Sequence, residues 1–191
     1  MALTLAFDTE TTGFPVLPIE TQAHEVQPRI IQLYAALVEH DDDGSNASVK
    51  KVLSTNLNSV TSVPAKITQL TGIKTSDLHG APQWEDVRGE FFSLVTLADF
   101  TVAHNIAFDA RMIQIEEKFL DKPKPFEGVK LRCTLMKSRL INTSAQSHAL
   151  GNLHKHLFGE ELTKAHTAEA DVGGLVRIYL DLIKKGAWNK A

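Results

Sequence analysis

Three short stretches carry side chains that could do chemistry together. The first is LAFDTETTGFP, from Leu5 to Pro15, where an apolar run ends in Asp8 and Glu10. Residues two apart on a strand share a face, so the two carboxylates project together if the strand continues that far. Such a pair repels and is costly to desolvate. A hard divalent cation, which prefers oxygen ligands, would relieve that repulsion. A hydrated strand end would also accommodate two acids, and one such pair alone does not choose between these. TTG follows as a turn, with Gly13 free to take a positive φ. The second stretch, FTVAHNIAFDARMIQIE from Phe100 to Glu116, runs from a strand into a helix carrying Asp109 in its first turn. There an acid can simply complement the helix dipole, and His104 and Asn105 can be caps or turn formers. The third, AHTAEADVGGLVRIYLDL from Ala165 to Leu182, places His166 just before a helix and Asp171 five residues later. Asp171 sits beside an apolar stripe of Val172, Leu175, Val176, Tyr179 and Leu180.

The elements that must position these residues can be read from periodicity and turn chemistry. Leu3 to Phe7 is a buried strand. Arg29 to Glu39 is a second apolar strand, and the turn-rich HDDDGSNAS leads to a third, half-buried strand in KKVLSTNLN. These three form an antiparallel meander. Helices are expected at Pro64 to Leu70, Gln83 to Leu97 and Ala107 to Phe119, with a strand at Phe100 to Ala103. VKLRCTLMKSR reads as a strand end entering a helix, after a loop from Lys122 to Gly128. Ser147 is placed to cap a helix through His156, and the last helix runs from about Thr167 to Lys185. Trp84 and Cys133 are read as core residues. Strands first, then alternating helices and strands, give an α/β mixed sheet with helices packed on it.

Bulk composition narrows the class. The 191 residues suit one domain spanning 1–191, and the 43% hydrophobic and 23% charged contents are ordinary for a soluble globular protein. A net charge of −3 argues against a protein that coats DNA non-specifically. It is compatible with an enzyme holding a nucleic-acid end through metal. Cys133 is the sole cysteine, so no internal disulfide forms and no cysteine zinc site is suggested. With no signal-like N-terminus and no apolar run near ~20 residues, the expected location is cytoplasmic with no membrane contact.

Taken together, FDTETTG, AHNIAFD and AHTAEAD resemble the DEDDh (DnaQ-like) 3′–5′ exonucleases, whose best-known members are the proofreading (epsilon) subunits of bacterial DNA polymerase III. The resemblance spans nearly the whole chain, including RIIQLYAALVE, ITQLTGIKTSDL, CTLMKSRL and SHALGNLHKHLFG. It departs where many relatives carry Asp at Cys133 and His at Thr71. It implies a ribonuclease H-like, five-stranded mixed sheet flanked by helices, and removal of nucleoside 5′-monophosphates from 3′ ends. By resemblance Asp8, Glu10, Asp109 and Asp171 would hold two divalent cations, Mg²⁺ or Mn²⁺. Asp8 would bridge them, Glu10 and Asp171 would complete the site of the metal that binds the attacking water, and Asp109 would support the other. His166 would be general base. The backbone from Glu10 to Thr12 and the turn Thr11 to Phe14 would hold the terminal nucleotide, with Phe14 either stacking on a base or packing in the core, and His104 near the site or structural. The expected partner is a nucleic-acid 3′ end, with single-stranded DNA ahead of RNA. The chain stops soon after its last helix, which points to an independent enzyme ahead of a polymerase subunit. An exoribonuclease and a non-catalytic binding module on the same fold are the alternatives. Oligomeric state is left open.

Overall fold

The structure is a computed structural model describing residues 1–122, 125–142, 144–163 and 166–188. Five strands, β1 (Ala2–Thr11), β2 (Ile30–His40), β3 (Ser48–Asn56), β4 (Phe100–Ala103) and β5 (Leu131–Cys133), form one sheet in the order β3-β2-β1-β4-β5. β1, β2 and β3 are antiparallel neighbours, whereas β4 and β5 run parallel to β1. Six helices accompany them: α1 (Ala65–Thr71), α2 (Trp84–Leu97), α3 (Ile106–Phe119), α4 (Thr134–Ile141), α5 (Leu150–Phe158) and α6 (Ala168–Lys184). The expected mixed sheet and meander are present, with most element ends within two residues of their expected places. Among the described residues no helix is long and apolar enough to cross a membrane.

Strand alternation divides the core into two layers. Leu5 and Phe7 of β1 face α2 and α3 and pack with Leu33, Trp84, Phe91, Met112 and Ile113. Ala6 faces the other way and packs with Ala36, Val38, Val102, Val172, Leu175 and Tyr179. The two alanines leave room for α6 to lie close to the sheet. Asp8 and Glu10 continue the Ala6 row, so the period of two delivers both acids to the α6 side.

Three local expectations are corrected. Gly13 is not among the positive-φ glycines, and a Cβ there would meet Pro28 Cβ at an ordinary 3.8 Å. The TTG turn is instead held by side chains: Thr11 Oγ1 donates to Gly13 O, and Thr12 Oγ1 accepts from Arg29 N. Ser147 does not cap α5. Its hydroxyl accepts from Ala149 N and from Asn152, closing the turn before a helix whose N-cap is Ala149. Phe14 is 84% exposed, which removes the core-packing reading. The connection from β1 to β2 holds two 3₁₀ turns, Ile19–Thr21 and His24–Val26, that showed no periodicity. Lys118 Nζ pins it to α3 by donating to the carbonyls of Ile19, Glu20 and Gln22.

Candidate active site

β1, β4 and β5 end at the same edge of the sheet, and the connections change direction at β1. In open α/β sheets that is where ligands bind. Asp8 and Glu10 stand there on β1. α6 approaches on their face, with Thr167 as N-cap accepting from Ala170 N, and brings Asp171 from its first turn. One carboxylate oxygen from each of Asp8, Glu10 and Asp171 lies within 4.8 Å of the other two. Oxygens around a six-coordinate ion at 2.0–2.1 Å stand about 3–4 Å apart, so a small rotation of these side chains would let them share one cation.

Asp109 arrives from the opposite face. Asn105 takes a left-handed conformation (φ 69°), which asparagine tolerates, and its carbonyl accepts from Phe108 N to start α3. This sets Asp109 against the end of β1, where Thr9 points away from the Asp8 row. Asp109 Oδ1 accepts from both Thr9 N (3.1 Å) and Thr9 Oγ1 (2.8 Å). Asp109 is 2% exposed and Thr9 5%. No motif marks Thr9; its one signal in the sequence is a hydroxyl inside the acidic pair.

The electrostatics are those of a site with too much negative charge. Burial, then Asp109, Asp171 and Glu10, hold the Asp8 carboxyl well above the usual range. Burial, with Asp171 and Asp109, pushes Glu10 up to about 7. Burial raises Asp109 to about 7, against the pull of its hydrogen bonds from Thr9. Asp171 is raised by burial and drawn back by the charge and backbone N–H of His166. Among the described residues no lysine or arginine forms an ion pair with any of the four. An all-oxygen donor set with this field fits a hard divalent cation.

His166 is exposed and sits at φ 68°, uncommon for a residue other than glycine. Its N–H donates to Asp171 Oδ2 at 3.2 Å, tying the histidine to the acid cluster through the main chain. Phe14 lies beyond the end of β1, its ring edge-on to Phe108 at 5.8 Å between centroids. Thr12 N donates to Arg29 O, so that amide is already used. His104 follows β4, with Nδ1 bonded to Thr134 Oγ1 and Nε2 to His148 O. Burial lowers its pKa, so the neutral ring ties the end of β4 to α4 and to the turn before α5.

The comparisons with known proteins agree with this geometry. The sequence profile of the RNase_T family, described as "Exonuclease", matches residues 5–179. The chain belongs to this family, and its ordered acids and histidine place it among the DEDDh 3′–5′ exonucleases. It is 28% identical over 174 residues to the 3′–5′ exonuclease DinG of Bacillus subtilis (strain 168), covering 90% of this chain and 18% of DinG. It is 27% identical over 186 residues to the DNA polymerase III subunit epsilon of Aquifex aeolicus (strain VF5), covering 95% of this chain and 80% of that one. The chain thus spans less than a fifth of DinG and four-fifths of the epsilon subunit. Two solved structures share the fold. Exonuclease X in complex with 5′ overhanging duplex DNA gives a TM-score of 0.68 at 17% identity, covering 97% of this chain and 94% of that one. The nuclease domain of 3′hExo, a DEDDh family member bound to rAMP, gives 0.73 at 14% identity with the same coverage.

Proposed function

We propose that this chain is a divalent-metal-dependent 3′–5′ exonuclease that removes nucleoside 5′-monophosphates from DNA ends. The observation that carries this is the meeting of Asp8, Glu10 and Asp171 oxygens within 4.8 Å, with Asp109 behind them and His166 at the start of α6. Asp8, Glu10 and Asp171 would hold one divalent cation, Mg²⁺ or Mn²⁺, and Asp109 would support a second. When bound, such cations would supply a nucleophile near neutral pH and stabilise charge on the attacking and leaving oxygens. His166 accepts the proton of the attacking water as general base. Its exposure lets that proton pass on to solvent.

Thr11, Thr12, Phe14 and His104 form the seat of the terminal nucleotide. Phe14 offers its exposed ring to a base, a contact that tolerates any sequence. Thr11 and Thr12 shape the turn beneath the sugar. His104 serves through the wall it fixes, since both ring nitrogens already have protein partners. The preference for DNA rests on the relatives that are DNA polymerase III proteins. A 5′-labelled DNA strand and an RNA of matched sequence, incubated with Mg²⁺, Mn²⁺ or EDTA, test the reading. The expected result is a metal-dependent ladder shortening from the 3′ end, faster on DNA and absent in Asp8→Asn. Equal cleavage in EDTA would remove the metal mechanism, and faster RNA cleavage would reassign the substrate.

A further inference from the structure

A polar row crosses three strands beside the acids. Glu10 of β1 stands opposite Gln32 of β2, and Gln32 stands opposite Asn56 of β3. Directly opposed residues share a face with Cβ atoms about 4.5–5.5 Å apart. Gln32 Oε1 accepts from Ala168 N at 3.1 Å, Gln32 Nε2 donates to Asn56 Oδ1 at 3.0 Å, and Asn56 Nδ2 donates to Asp77 O at 3.2 Å. The direction of this chain is fixed at both ends. A backbone N–H can only donate and a backbone carbonyl can only accept, so each amide has one consistent orientation.

Ala168 opens α6 and is fully buried. Its N–H is one of the first four of the helix, which have no partner within it. The N-cap Thr167 serves Ala170 N, and Gln32 serves Ala168. A side chain 136 residues away therefore completes the cap, from the strand position facing a metal-binding acid. Asp171 lies three residues beyond this bond and His166 two before it.

We propose that Gln32 is a positioning residue that fixes the start of α6, and with it Asp171 and His166, against the Glu10 end of β1. Its kinetic consequence rests on the exonuclease reading above. The amide suits the place better than a carboxylate. It offers an acceptor to Ala168 and a donor to Asn56 without adding charge beside Glu10. The docking of α6 as a whole does not depend on it, because Val172, Leu175, Tyr179 and Ile183 are buried against the sheet. Losing the clamp frees the first turn and leaves the helix in place. Small misplacements of catalytic groups are costly: about 1 Å can lose 10²-fold in rate.

The test compares wild type with Gln32→Leu, which keeps much of the bulk and removes both bonds. Amide hydrogen exchange is read at residues 168–171 and across β1, β2 and α3, and kcat and KM are measured on labelled DNA with Mg²⁺. The expected result is exchange at least about tenfold faster at residues 168–171, the change expected when one helix end opens locally. The sheet should be unaffected. kcat should fall about 10–100-fold with KM changed less than about threefold. Should Gln32→Leu not fold, Asn56→Ala removes the amide's second anchor and is expected to speed exchange at the same residues to a smaller extent. Unchanged exchange at residues 168–171, a uniform rise across all elements, or an unchanged kcat would overturn the assignment. If wild type proves to have no exonuclease activity, the functional reading fails, and the exchange data alone decide whether Gln32 clamps α6.

Discussion

Removing the charge of Asp109 should stabilise the metal-free protein while destroying its activity. Asp109 is 2% exposed, and burial lifts its carboxyl from an ordinary 3.8 to about 7. An acid raised on folding binds more protons folded than unfolded between those two values. Stability therefore falls as pH rises through that window and is highest below it. At pH 8 the displacement corresponds to about 4 kcal/mol of cost to the folded state; at pH 5 it is less than half of that. Asp109→Asn removes the charge and keeps an Oδ1 able to accept from Thr9 N and Oγ1. The pull of those two bonds on the charged carboxylate is already part of its displacement to about 7, so nothing further is subtracted. The net gain is about 4 kcal/mol at pH 8 and less than half of that at pH 5. For a chain of this length that is a rise in Tm of about 8–16 °C at pH 8. Urea unfolding of EDTA-treated wild type and variant at both pH values measures it. Added Mg²⁺ should narrow the gap, because wild type then gains binding energy that the variant has partly lost. A variant less stable than wild type at pH 8 without metal, or a gain equal at both pH values, would refute the electrostatic account of the cluster.

Other outcomes follow from the same coordinates. His166→Ala should lower kcat by about 10²–10⁴-fold while Mn²⁺ binding, followed by calorimetry, stays near the wild-type level. Arg29→Met should cost about 3–5 kcal/mol, because Arg29 is the bidentate partner of Glu116, whose side chain is fully buried; adding Glu116→Gln should recover most of that loss in urea unfolding. Phe91→Ala should cost about 3–5 kcal/mol in the same assay, since Phe91 is fully buried against Phe7, Trp84 and Phe92.

The parts of the site that could be read from sequence are those set by local periodicity. Asp8 and Glu10 share a face because strand side chains alternate. Asp109 and Asp171 both fall in the first turn of a helix whose start is marked by Asn105 or Thr167. What could not be read depends on partners far along the chain. Gln32 is a lone amide in an apolar strand until Ala168 is seen across from it. Glu116 and Glu117 look like a solvated charge pair on a helix. In the fold they are buried, Glu116 held by Arg29 and Ile30 N, and Glu117 by Arg88 and Trp84 Nε1. A glycine after two threonines suggests a left-handed turn, but at Gly13 the turn is held by Thr11 and Thr12 side chains.

The acids come from β1, α3 and α6, so more than 160 residues separate Asp8 from Asp171. On the proposed function, hydrolysis requires β1, α3 and α6 to be docked together. A polypeptide still being synthesised, or one whose α6 has peeled from the sheet, keeps Asp8, Glu10 and Asp109 but lacks the carboxylate that closes the group. Local opening of that helix would part Asp171 from Asp8 and Glu10. On the proposed function such a nuclease would act as an interlock, its specific activity following the fraction of molecules in which α6 is docked.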